Sequence, residues 1–174
     1  MKIFMLYDQI QAGVGTKDDT MIQLNITKNL IGPAIMMENY LKKVNAQVIA
    51  TIYSGTKYYE DNKIEVKRKI IGIINKVKPD IIICGPCFNY ENFSKMAVEI
   101  AIEINENTNS KAFCAMSEEN DNIINNYKNK VIIVKTPKKG GIGLNDSLEA
   151  ITLVAKALYE NNNLDNLKET YCFN

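Results

Sequence analysis

The sequence predicts an α/β fold: three layers, α/β/α, around a mostly parallel five-stranded sheet in the flavodoxin-like order 2-1-3-4-5. Three observations predict it. Short apolar, β-branched runs without alternation, such as Ile81, Ile82 and Ile83, read as strands buried on both faces. The segments between them carry apolar residues at three- and four-residue spacing, the pattern of amphipathic helices. Strands that alternate with helices call for parallel pairing and right-handed crossovers. The expected organisation is one α/β domain over residues 1–160 and a polar C-terminal tail over 161–174.

Residues 2–7 form the first expected strand, and residues 8–31 a long loop that opens with Gln11-Ala-Gly-Val-Gly15. A loop of that length after a first strand is more often functional than idle. It is not a dinucleotide fingerprint, because Asp18 stands where the third glycine would be, and no Walker A pattern follows. Gly32-Pro33 opens a helix, with proline at the first helical position where its missing N–H costs nothing. Met36, Met37, Tyr40, Leu41 and Val44 give that helix its inward stripe, which core packing explains better than a ligand surface. Residues 47–53 make the second strand, and Ser54-Gly55-Thr56 the turn that ends it. Residues 62–78 read as a helix with Val66, Ile70, Ile73, Ile74 and Val77 inward and a solvated lysine face outward. Pro79 stops it, and the central strand begins at Asp80. After the loop from Cys84 to Asn89, residues 90–106 turn helical. Residues 111–116 form the fourth strand, followed by the acidic loop Ser117, Glu118, Glu119, Asn120 and Asp121. Residues 131–134 form the fifth, followed by a glycine-rich segment and a last helix carrying Leu144, Leu148, Ile151, Val154, Ala155 and Leu158. Asp146 and Glu149 near its start are spaced as a capping pair.

Composition narrows the function classes. In 174 residues, 46% are hydrophobic and 24% charged, the balance of a globular domain. A net charge of +1 carries no nucleic-acid footprint. No apolar run approaches membrane-spanning length and the N-terminus lacks a signal-peptide layout, so a cytoplasmic protein is expected. The chain has no histidine, which excludes Ser-His and Cys-His nucleophilic sites within it. Its four cysteines, Cys84, Cys87, Cys114 and Cys172, suggest no disulfide framework. No metal site is expected either, since zinc signatures need two closely spaced ligand couples and only one exists.

In a sheet of this order the ligand crevice lies at the carboxyl ends of the first and third strands. The loop bearing Gln11, Gly13 and Gly15 would there face the loop from Cys84 to Asn89, with the acidic loop as the next neighbour. Cys84-Gly85-Pro86-Cys87 has the spacing of a thioredoxin active site. That chemistry needs a thiolate made acidic by the following helix's N-terminus. Against it, Cys84 directly continues the strand, no tryptophan precedes it, and Pro137 follows a strand where a thioredoxin needs its proline before one. The segment 138–143 suits an anion held by backbone N–H groups and lysine charge, or simply a flexible connection. Glu118 and Glu119 suit acid–base work or cation binding, though exposed loop carboxylates usually do neither.

Taken in order, these stretches resemble the N-terminal part of the selenoprotein B component of glycine, sarcosine and betaine reductases. The resemblance rests on Tyr7-Asp-Gln-Ile-Gln-Ala-Gly-Val-Gly15, where the family reads asparagine or a similar residue, glutamine, two variable positions, then Ala-Gly-x-Gly. It continues through Leu30-Ile-Gly-Pro33, Ile49-Ala-Thr-Ile-Tyr-Ser-Gly55 with Tyr58 and Tyr59, Pro79-Asp80 through Gly85-Pro86-x-Phe88-Asn89, and Glu119-Asn120. It implies a reductase-complex component that binds a small amino-acid-derived substrate with the help of partner subunits. One partner polypeptide would bear a pyruvoyl group that forms a Schiff base with a primary amine. A selenocysteine in a later part of the family's polypeptide would attack the α-carbon and break the C–N bond. This sequence ends before that region, and Cys84 and Cys87 stand where the family commonly has small residues. The expectation is therefore a chain with no cofactor of its own, not catalytically complete alone, whose pocket draws on Gln11, Gly13, Gly15, Gly85, Asn89, Glu119 and Asn120. A homo-oligomer is compatible with it. Two other readings stand beside it: a thiol–disulfide oxidoreductase with Cys84 and Cys87 as catalytic residues, and a flavodoxin-like binding module.

Overall fold

A computed structural model describes all 174 residues. Its centre is β1 (Lys2–Tyr7), flanked in parallel by β3 (Gln47–Tyr53) and β4 (Ile81–Cys84). Beyond β4 lie β5 (Lys111–Met116) and then β6 (Ile133–Lys135), also parallel. β4 is buried along its whole length, as its unbroken isoleucine run requires in a sheet covered on both faces. Each fully buried aliphatic side chain there contributes roughly 1.5–3 kcal/mol.

The sheet has six strands rather than the five expected. β2 (Asn25–Thr27) lies inside the long first loop and pairs antiparallel with β3, Ile26 opposite Ile52. The order is therefore β2-β3-β1-β4-β5-β6, a mixed sheet. Sequence pattern could not reveal β2: three residues give no measurable period, and its side chains are exposed or half-buried at the sheet edge.

Helix α1 (Pro33–Lys43) packs on α6 (Leu144–Glu160). On the other face α4 (Glu91–Asn107) packs against α2 (Thr56–Asp61), α3 (Lys63–Val77) and α5 (Asp121–Tyr127). Right-handed crossovers account for this split, because the chain steps one way from β1 to β3 and the other way from there to β6. α2 and α5 occupy stretches whose sequence reads as turn and loop. The segment 161–174, read as a polar tail, contains α7 (Asp165–Tyr171). Just past it, Cys172 bridges to Val134 and the Phe173 N–H donates to the Ile133 carbonyl at 3.0 Å, so this end of the chain is stitched to β6. No helix is long and apolar enough to cross a membrane.

Candidate functional site

β1 and β4 are direct neighbours, with Leu6 in register with Cys84, so the loops that leave their carboxyl ends emerge side by side. The first is wound into a tight turn around Asp8. The Gln11 N–H donates to Asp8 Oδ1 at 2.7 Å, and the Ala12 N–H donates to the Asp8 carbonyl at 3.0 Å. Gln9 anchors the turn to the end of β3: its Oε1 accepts from the Thr56 N–H, and its Nε2 donates to the Thr16 carbonyl, both at 3.3 Å. Gly32, at φ 57°, lets the start of α1 come so close that an added Cβ would lie 2.1 Å from the Gln11 carbonyl oxygen. The glycine there is a packing necessity as well as a conformational one.

The second loop is fixed by backbone bonds to both neighbouring strands. The Gly85 N–H donates to the Leu6 carbonyl at 3.1 Å and the Cys87 N–H to the Ala115 carbonyl at 2.7 Å. The Gly85–Pro86 peptide is cis. Phe88 follows at φ 51°, an unfavourable backbone conformation for an aromatic residue, held because its surroundings over-determine it. Its carbonyl accepts both the Ser117 N–H (2.9 Å) and Asn120 Nδ2 (2.6 Å). The loop after β6 is tied in when the Lys139 N–H donates to Asn89 Oδ1 at 3.1 Å.

Between these loops and the start of α1 lies a cavity of about 310 Å³, lined by Gln11, Gly32, Pro33, Met36, Phe88, residues 138–141 and Leu144. Gln11 is buried, yet its Nε2 has no hydrogen-bond partner. An unsatisfied buried donor is costly unless something absent from the chain accepts it. Lys139 Nζ sits 5.6 Å from the centre of the Tyr90 ring. Beneath the turn, Asp8 is almost fully buried and its carboxyl is pushed up to about 6. Burial is the main cause, opposed by the Gln11 and Ile10 N–H donors and by the positive charge of Lys139. Larger hollows lie elsewhere, one of about 480 Å³ by Pro79, Asp80 and Lys111 among them. That one lies at the amino ends of the strands, the wrong edge for a ligand in an open parallel sheet.

The residues singled out in the sequence divide into four groups. Gln11 reaches the cavity, and Asn89 and Asn120 hold its walls together. Gly85, at φ 123°, is a close-packing residue whose added Cβ would lie 2.6 Å from the Ala115 carbonyl oxygen. Gly15 likewise packs on Asp19 within its own loop, while Gly13 and Glu119 are exposed and line no part of the cavity. Cys84 and Cys87 are completely buried, and burial drives the Cys87 thiol well above the usual cysteine range, with the Cys84 and Asp8 charges adding to it. That is the reverse of what a thiolate nucleophile needs, so the thiol–disulfide reading is not favoured. Sequence reasoning missed Asp8, Gly32 and Phe88 as site residues. The available signal for Asp8 was its position, the first polar residue past the buried run from Ile3 to Tyr7.

The family model for glycine/sarcosine/betaine reductase selenoprotein B matches the chain over residues 1–174. Among curated relatives, the glycine reductase complex component B subunit gamma of Peptoclostridium acidaminophilum is 27% identical over 120 residues, 69% of this chain and 27% of that protein. The sarcosine reductase complex component B subunit beta of the same organism is 25% identical over 136 residues, 78% of this chain and 31% of the relative. Its betaine reductase complex component B subunit beta is 27% identical over 124 residues, 71% and 28% respectively. The matched stretch thus spans less than a third of the length of each of these relatives. No solved structure gives a significant match. With a family model matched from its first residue to its last, the chain belongs to the glycine/sarcosine/betaine reductase selenoprotein B family.

Proposed function

We propose that this chain is a component-B-like subunit that supplies a pocket for a small amino-acid-derived substrate within a reductase complex, and that partner polypeptides complete the chemistry. The whole-length family match carries the reading. The cavity at the carboxyl ends of β1 and β4 supports it, with Gln11 in its lining and Asn89 and Asn120 in its frame. Of the other candidates, Gly85 packs against β5 behind its loop, while exposed Gly13 and Glu119 and half-buried Gly15 lie outside the cavity lining. The relatives are named as subunits of glycine, sarcosine and betaine reductase complexes, which supports assembly with further subunits. In this reading the pyruvoyl group and the selenocysteine belong to those partners. None of this chain's four cysteines is open to a substrate, since all are buried. What the chain itself contributes is binding, orientation and exclusion of water.

The test is reconstitution. The purified chain is mixed with the other component B subunits of a matched relative, and glycine, sarcosine and betaine are titrated in by calorimetry. Co-elution together with saturable binding of at least one of the three is the expected result. Neither co-elution nor binding of any of them would overturn the proposal.

A further inference from the structure

The cavity has a chemical polarity that the family match does not specify. Pro33, Met36, Phe88 and Leu144 give it apolar walls, while Gln11, Lys138 and Lys139 give it a polar part. Gln11 Nε2 is there without an acceptor, on a residue only 7% exposed. Lys138 and Lys139 line the same cavity, and neither is engaged in any ion pair of the chain. The N–H groups of Gly140, Leu144 and Asn145 have no acceptor within the chain, and the last two belong to the first turn of the 17-residue α6. The charged side chains that line the cavity are both cations, and the Gln11 amide adds an unpartnered donor. Asp146 on that first turn already offsets part of the helix dipole, and buried Asp8 faces Lys139 from beneath the turn, so the two lysines set the sign of the site.

We infer that the polar part of this cavity is an oxyanion site for a small carboxylate, held by the Gln11 side-chain amide, the Lys139 ammonium and the free N–H groups at the start of α6. The volume and the single buried amide suit a carboxylate rather than a phosphate ester, and the apolar walls then meet the remainder of the ligand. This deepens the reading above and rests on it for the choice of cavity. It adds which end of the ligand is gripped and by which residues.

The probes are acetate, inorganic phosphate, betaine and choline, the last being a quaternary ammonium without a carboxylate. Each is titrated into the isolated full chain while the Gln11 side-chain amide and the Gly140 and Leu144 backbone amides are followed by NMR. Acetate and betaine are expected to shift these resonances and to compete with each other, while choline leaves them unmoved. Lys139→Gln is expected to weaken acetate roughly tenfold and Lys139→Arg to preserve it, in keeping with a charge-assisted contact. Gln11→Leu is expected to weaken acetate with no loss of thermal stability, because an unsatisfied donor is removed. Choline acting as well as betaine, phosphate binding where acetate does not, or acetate affinity indifferent to both Lys139→Gln and Gln11→Leu would each overturn the site. Betaine shifting only residues outside the cavity would sink this inference and leave the component B reading standing. Acetate bound at the cavity, with glycine, sarcosine and betaine all ignored even in the reconstituted complex, would do the opposite.

Discussion

Asp8 shows how much one side chain can hold in balance. It caps the first loop through its bond from the Gln11 N–H, yet its carboxylate sits almost fully out of water, and burial outweighs the donors around it. A carboxyl raised in the folded state favours folding below its unfolded pKa, near 4, and that contribution is lost as the pH rises through about 6. Asp8→Asn keeps an oxygen to accept the Gln11 N–H but removes the buried charge. The variant should therefore be more stable than the parent by roughly 2–3 kcal/mol at pH 7, and nearly equal to it at pH 4. Denaturant melts across that range would check this, and a parent whose stability is flat between pH 4 and 7 would show the account to be wrong. The glycines separate by the same logic. Gly32→Ala sets a Cβ against the Gln11 carbonyl at positive φ and should cost about 3 kcal/mol or more, with loss of cavity binding. Gly13 has the same backbone sign but open space around it, so Gly13→Ala should cost only about 1 kcal/mol. Both motifs draw the eye in the sequence. Only the packing of Gln11 against Gly32 tells the two apart, and that contact spans 21 positions of chain.

At the scale of elements, legibility followed length. The apolar runs at β1, β3, β4 and β5 and the long stripes of α1, α3, α4 and α6 are readable because each buries enough residues to impress a period on the sequence. The elements that escaped notice are short: β2 with 3 residues, α2 with 6, and α5 and α7 with 7 each. Segments of that size are marginal by themselves and exist because the rest of the fold holds them. α7 makes the point measurable. It has no buried residue, and its seat depends on Cys172 beyond it, on the bridge to Val134, and on Leu167, Tyr171 and Phe173 packed against the core. Deleting residues 165–174 should therefore cost on the order of 3 kcal/mol, the worth of about two buried side chains, while the cavity at the carboxyl ends of β1 and β4 keeps its shape. A thermal melt beside an acetate titration of the truncated chain would separate the two effects. Unchanged stability would mean that this segment merely rests on β6.

For the whole molecule, the distribution of thiols ties stability to chemistry. Cys84 and Cys114 face each other across β4 and β5, and Cys87 lies one turn beyond with its thiol 3.9 Å from the Cys84 carbonyl oxygen. A sequence reader sees Cys84-Gly85-Pro86-Cys87 and thinks of redox chemistry, because spacing is visible and burial is not. In the fold this trio is interior packing, and burial raises the thiol pKa of Cys87 and of Cys114 well above the usual cysteine range. Cys172 is buried too, but by the peripheral α7 segment, and its thiol is pushed up only to about 11. Modification must then wait for the protein to open, and the order of opening follows the order of packing. Under native conditions at pH 8, an excess of a thiol-specific disulfide reagent should first label Cys172, through local release of α7. Cys84, Cys87 and Cys114 should follow together, at a rate that tracks global unfolding and slows in Asp8→Asn at neutral pH. In denaturant all four should react at once. If Cys87 instead reacted within the mixing time on the folded chain, the loop after β4 would have to open independently of the sheet. The cavity built on that loop would then be a transient feature rather than a fixed one.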